Sequence, residues 1–73
     1  MLKRTAAEYA AHVKTLRDRA EECRVLAQVM ISKENASRYL KLADAYIALA
    51  EQEEQLARDV EALELRDQPS PDA

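Results

Sequence analysis

The fold is decided by residues 30–39, which read MISKENASRY and separate two heptad patterns of apolar residues. The first pattern, with spacings of four and three, comprises Leu2, Ala6, Tyr9, Val13, Leu16, Ala20, Cys23, Ala27 and Met30. The second comprises Tyr39, Leu42, Tyr46, Leu49, Glu53, Leu56, Val60 and Leu63. Such spacing keeps one side of an α-helix apolar, as lengthwise packing on another helix requires. Because the first pattern continues onto the polar Glu34, Ser37 and Lys41, we predict a hairpin rather than one rod.

The composition favours helices throughout the chain. The 73 residues include no glycine, and the two prolines, Pro69 and Pro71, lie close to the C-terminus. Strands and tight β-turns usually leave glycine or proline punctuation between them. Alanine, glutamate, leucine, lysine and arginine, which form helices readily, fill most of the sequence. The predicted fold class is therefore all-α, an antiparallel two-helix hairpin that dimerises into a four-helix bundle.

Local signals place the ends of the two helices. Thr5 followed by Glu8 matches a capping box, and Ser32 is a suitable N-cap for the second helix, with Asn35 as a second candidate. We expect a hairpin domain over residues 1–66, with helix one at about 2–31, a turn at about 32–35 and helix two at about 33–66. Residues 67–73 are predicted to be a disordered tail.

Pairing the two heptad patterns in an antiparallel sense places the centre of the hairpin next to Ser32. In this arrangement Tyr46 faces Ala20 and Tyr39 faces Ala27, so large side chains lie on small ones. The coincidence of this centre with an independent turn signal supports the hairpin.

Apolar residues outside these two patterns predict a second interface. A chain of this length seldom gains enough stability from its own core, and one cysteine cannot form an internal disulfide. Leftover apolar surface usually marks a contact with another chain. We therefore expect a homodimer, although some of the alanines could simply be good helix formers. The predicted interface residues are Leu26, Val29, Leu40, Ala43, Ile47 and Ala50.

His12 and Glu53 are the polar residues most closely associated with the paired patterns. His12 is the only histidine, and the proposed pairing places it across from Glu53, the charged member of the second pattern. This could be an acid–base pair or a pH switch. We favour a structural ion pair, because a lone polar residue in a heptad pattern often fixes register and oligomeric state. Glu53 could also face its own copy, or a basic side chain of a partner.

No other residues indicate catalysis or cofactor binding. Cys23 occupies a core position of the first pattern, where it is expected to act as a small buried hydrophobe. The acidic run from Glu51 to Glu54 lacks the Glu-x-x-His pattern of carboxylate metal sites in helical bundles. Glycine-rich phosphate loops and serine–histidine–aspartate arrangements are missing as well. We predict a protein that is not an enzyme and that has no cofactor and no metal site.

The charge balance bears on partners and location. Eleven basic and 14 acidic side chains give a formal net charge of −3, which argues against nucleic acid as a partner. The sequence contains no apolar run long enough to span a membrane. A single cysteine and an N-terminus without an apolar signal stretch predict a cytoplasmic protein.

Two stretches carry a resemblance to a family. They are RAEECRVLA at residues 19–27 and LKLADAYIALAE at residues 40–51. They resemble small alphaproteobacterial helical-hairpin proteins of uncharacterised function, with the pattern A-x-E-C-x-x-L-A, a turn, then L-x-x-A-x-x-Y/W-x-x-L-A-E. In that pattern Asp-Pro often opens the second helix, where this chain has Ser32 and Lys33. The resemblance implies a bacterial, cytosolic hairpin and no catalytic or binding residues.

Together these observations predict a small, non-enzymatic helical module for protein–protein interaction, such as a regulator, adaptor or assembly factor. Its partner would be a second copy of itself or another protein. One alternative is a subunit of a hetero-oligomeric complex. Another is an amphipathic membrane-surface binder, which the acidic balance and the absence of Trp and Phe disfavour.

Overall fold

A computed structural model describes residues 4–67 as a hairpin of two α-helices. Helix α1 comprises Ala6–Val29, 24 residues, and helix α2 comprises Lys33–Asp67, 35 residues. The two helices pack against each other along their lengths and are joined only by Met30, Ile31 and Ser32. The predicted all-α hairpin is confirmed.

The N-terminus of α1 is capped in two ways. The Thr5 hydroxyl oxygen accepts a hydrogen bond from the Glu8 backbone N–H at 3.2 Å. In return the Glu8 carboxylate accepts one from the Thr5 N–H at 3.4 Å, which completes the predicted capping box. The Glu64 carboxylate, at the far end of α2, accepts a hydrogen bond from the Ala6 N–H at 3.1 Å. A carboxylate at this position stabilises α1, because its negative charge lies at the positive end of the helix dipole. The hydrogen bond also connects the end of α2 to the start of α1.

The turn is shorter than the sequence indicates. Helix α1 ends at Val29, and Met30 is extended with φ −73° and ψ 130°. Ser32 caps α2 as predicted, because its hydroxyl oxygen accepts from the Asn35 N–H at 3.3 Å. The turn therefore comprises residues 30–32 rather than about 32–35. No residue in the described range has a positive φ, so the turn needs no glycine.

Helix α2 ends one residue beyond its predicted limit. Asp67, predicted to begin the tail, is the last residue of α2. Residues 1–3 and 68–73 lie outside the described range, and so do the predicted start of helix one and most of the predicted tail.

Helix α1 buries the residues that its heptad pattern predicts. The buried side chains are those of Val13, Leu16, Ala20, Cys23 and Ala27. All five belong to the first pattern, so the side of α1 that faces α2 was predicted correctly.

Helix α2 faces α1 with a side that only partly overlaps the predicted one. Tyr39 and Tyr46 are half-buried as expected, but the fully buried residues of α2 are Ala43 and Ala50, at 1% and 0% exposure. Four leucines of the predicted pattern, Leu42, Leu49, Leu56 and Leu63, are instead 42–55% exposed. Helix α2 is thus rotated so that alanines replace leucines at the contact with α1.

The small size of alanine explains this rotation. Val13 and Leu16 pack on Ala50, and Ala20 and Cys23 pack on Ala43, with the Tyr46 ring against both groups. Alanines on both helices let the two helix axes approach closely, and tyrosine rings fill the space between the successive alanine contacts. Leucines at the alanine positions would hold the helices apart. The resulting core is thin, since no large side chain is fully buried within residues 4–67.

Candidate interaction surface

Two contacts between the helices define the two long faces of the hairpin. His12 contacts Glu53 on one face, and Arg17 pairs with Glu54 on the other. At about 100° per residue, His12 and Arg17 lie roughly 140° apart around α1. A residue seven positions before or after one of these four residues lies on the same face as that residue, because seven residues make about two helical turns.

The face that carries His12 is apolar along α2. Leu49 and Leu56 lie one turn on either side of Glu53, on the side of α2 turned away from Glu54. Seven-residue steps add Leu42 and Leu63, and on α1 two such steps lead from His12 to Leu26. We name this set the leucine face, and its members are Leu26, Leu42, Leu49, Leu56 and Leu63, with exposures of 40%, 45%, 42%, 42% and 55%.

The opposite face is charged. The same seven-residue steps place Arg24 with Arg17, and Glu61 with Glu54. Only two large apolar residues share their positions on α2: Leu40, which is 49% exposed, and Ile47, which is half-buried against the Ala20 and Cys23 cluster. We name this the charged face. Along α2 the two faces of the hairpin therefore differ strongly in polarity.

The six predicted interface residues do not share one surface. Ala43 and Ala50 are buried between α1 and α2, so the prediction that they contact another chain is wrong, because small side chains are needed inside the hairpin. Leu40 and Ile47 belong to the charged face. Leu26 belongs to the leucine face, and Val29, 66% exposed, lies one turn beyond it on α1.

The four α2 leucines are surface residues that the sequence did not lead us to predict. Their signal was present, because Leu42, Leu49, Leu56 and Leu63 recur at intervals of seven. The pattern was assigned to the contact with α1, and hydrophobicity alone could not distinguish that contact from a second one.

The structure brings the two predicted polar residues together beside the leucine face. His12 Nδ1 lies 2.6 Å from Glu53 Oε2, and the Glu53 side chain is only 13% exposed. Because a carboxylate only accepts, Nδ1 carries the hydrogen and donates it. The Arg4 guanidinium lies 3.9 Å from the same Glu53 oxygen and 5.8 Å from the centre of the Tyr9 ring. A histidine and an arginine thus satisfy a carboxylate that is nearly enclosed by the helices.

The remaining candidates for chemistry are dispersed. Cys23 is buried, at 6% exposure, between the helices. Within the part of the chain described, no group of three or more His, Cys, Asp or Glu side chains is placed to hold a metal ion. A shallow depression of about 340 Å³ lies beside the turn, lined by Met30, Asn35, Arg38, Tyr39 and Leu42. It continues the leucine face at Leu42 and does not reach His12.

The contact between His12 and Glu53 gives a testable contribution to stability. We expect His12→Ala to lower the free energy of unfolding by about 1 kcal/mol, because Glu53 loses its closest hydrogen-bond donor while the 38% exposure of His12 admits water in its place. Urea denaturation followed by circular dichroism measures this change. A double-mutant cycle with Glu53→Gln should show coupling, whereas Lys14→Ala, which removes an exposed pair with Asp18, should change nothing measurable.

No family model, curated protein or solved structure matches this chain. The resemblance to alphaproteobacterial hairpin proteins therefore stays a prediction from the sequence. Neither described helix combines the length and the apolar composition that crossing a lipid bilayer requires. The leucine face is therefore the feature of this chain that bears most directly on function.

Proposed function

We propose that the protein is a small, non-enzymatic module that binds another protein chain through its leucine face. The observation that carries this proposal is the row of four leucines at heptad intervals on α2, each at least 42% exposed. Leucines at this interval are the pattern that a helix presents to a partner helix in a coiled coil or bundle. Contiguous exposed apolar surface of this kind is typical of interaction sites.

The energetics favour such a contact. Complete burial of a leucine side chain stabilises by roughly 1.5–3 kcal/mol, and these side chains are already about half covered by their own hairpin. Each would therefore contribute on the order of 1 kcal/mol on docking. Because the row runs along one side of a helix, the partner that fits it best is itself helical.

The proposed role is that of a regulator, adaptor or assembly factor in the cytoplasm. A chain with a single cysteine, placed where it packs as an apolar residue, is suited to a reducing compartment. A subunit of a hetero-oligomeric complex would use the same face, with a helix of another protein as partner. The acidic net charge of −3 makes an anionic membrane surface a poor partner.

Site-specific photo-crosslinking in the cell of origin tests the proposal. A photoreactive amino acid at Leu49 should yield covalent adducts with protein, because this position lies in the middle of the leucine face. The same amino acid at the neighbouring Ala48, which is exposed about 100° around α2 from Leu49 and points away from α1, is the matched control and should yield few. Equal adduct yields from the two positions would contradict the proposed function.

A further inference from the structure

We infer that the occupant of the leucine face is a second copy of this chain, docked leucine face to leucine face with the two turns at opposite ends. The product is a four-helix bundle with a twofold axis between Leu49 and Leu56. This inference rests on the proposed function, because it names the partner of the same surface.

The size of the leucine face suits a dimer of this chain. From Leu42 to Leu63 the row is about 31 Å long, at about 1.5 Å per residue. Two helices at about 10 Å spacing give a face about 20 Å wide, hence roughly 600 Å² of projected area. Each partner of a standard stable complex buries about 800 Å² of accessible surface, which a corrugated face of this size approaches. The thin core of the lone hairpin favours the addition of a second layer of helices.

The leucine row is complementary to itself in only one of the two twofold arrangements. With the turns at opposite ends, α2 packs antiparallel on the partner's α2, so Leu42 meets the partner's Leu63 and Leu49 meets the partner's Leu56. With the turns at the same end, α2 packs on the partner's α1. The leucines would then meet the partner's His12 and Arg19, which are polar. Apolar contact therefore favours turns at opposite ends.

Charges on α1 support the same arrangement independently of the leucine row. In the hairpin Leu16 packs near the level of Ala50, between the His12–Glu53 and Arg17–Glu54 contacts, which sets the approximate height of α1 residues relative to the leucine row. The twofold axis set by the leucines then places Arg19 opposite the partner's Glu8, and Glu22 next to the partner's Arg4. Within residues 4–67, neither Arg19 nor Glu22 takes part in an ion pair of its own hairpin. The dimer supplies both with opposite charges.

Two symmetry-related pairs of like charges also meet in this arrangement. Arg38 comes close to the partner's Arg66 at each end of the leucine row. Both positions are exposed at the edge of the bundle, where water and salt screen the repulsion. The two Arg19–Glu8 pairs lie nearer the axis and outweigh it.

Gln52 lies next to the twofold axis and provides the test. In the proposed dimer Gln52 faces the partner's Gln52, so Gln52→Cys should form an intermolecular disulfide in high yield on mild oxidation of the purified protein. With the turns at the same end, the two positions are on diagonally opposite helices, about 14 Å apart, and a disulfide cannot bridge more than about 7 Å between Cα atoms. Non-reducing electrophoresis and mass spectrometry measure the yield of the covalent dimer.

Two controls and an independent mass measurement complete the experiment. Wild type, whose Cys23 is buried, and Ala48→Cys, which lies one turn along α2 from Gln52 and about 13 Å along the helix from the partner's Ala48 in the proposed dimer, should give at least ten-fold less covalent dimer. Light scattering of wild type over a dilution series should give twice the 8.3 kDa of one chain.

Each contrary outcome has its own meaning. A dimer by mass without the Gln52→Cys disulfide would overturn the arrangement. A monomer at every concentration would overturn the second copy as occupant. Neither result touches the proposed function, which depends on the difference between photo-crosslinking at Leu49 and at Ala48.

Discussion

Replacing Ala50 with leucine is expected to lower the free energy of unfolding by about 3 kcal/mol, near the upper end of the usual cost of overpacking. Ala50 is 0% exposed and lies between the helices against Val13 and Leu16. A larger side chain there must push the helices apart, which also withdraws Tyr46 from its contacts with both core clusters. Urea denaturation followed by circular dichroism at constant protein concentration measures the loss.

The matched control for this substitution is Ala48→Leu, on the exposed side of the same turn of α2. Leucine and alanine both favour helices, so the free energy of unfolding should change by no more than about 0.5 kcal/mol. Equal losses for the two substitutions would mean that close approach of the helices at Ala50 does not hold the hairpin together.

Placing two carboxylates on the leucine face should give the second large effect. We expect Leu49→Glu combined with Leu56→Glu to raise the dissociation constant of the dimer at least 1,000-fold, because each chain would bring two charges into an apolar contact. Both leucines are 42% exposed in the lone hairpin, so the substitutions leave the contact between α1 and α2 largely intact. Sedimentation velocity over a dilution series measures the dissociation constant, and circular dichroism follows helicity in the same samples.

The control for this variant carries the same chemical change on other sides of the hairpin. Leu40 and Leu65 are 49% and 62% exposed and lie away from the leucine face, so Leu40→Glu with Leu65→Glu also adds two negative charges. This control should keep the native mass within the same concentration range. If the two double variants dissociated alike, general charge repulsion would be responsible, and the result would contradict the leucine face as the dimer interface.

Much of the hairpin could be predicted from sequence because its signals are local or periodic. The capping box at Thr5 and the cap at Ser32 each depend on a few neighbouring residues. The buried side of α1 followed from periodicity, since Val13, Leu16 and Cys23 lie in the only apolar row that runs the whole length of that helix.

The rotation of α2 could not be predicted by the same reasoning. Two rows on α2 share Tyr39, Tyr46 and Glu53, and they differ in whether leucines or alanines complete the heptad. A ranking by hydrophobicity selects the leucines. The distance between the helices decides otherwise, because α1 contributes Ala20 at the contact and only small residues on both sides permit close packing. Sequence periodicity carries no information on that distance, and the candidate interface was misplaced for the same reason.

The buried thiol of Cys23 provides a natural probe for the separation of α1 from α2. A thiol at 6% exposure reacts with a disulfide reagent only after the helices separate, so the labelling rate is the intrinsic rate multiplied by the fraction of open molecules. A ten-fold change in that rate corresponds to about 1.4 kcal/mol of opening free energy. If opening first requires dissociation of a dimer, labelling slows as the protein is concentrated; if a lone hairpin opens, the rate is independent of concentration. Kinetics of a natural side chain can therefore separate the stability of the hairpin from the stability of its assembly.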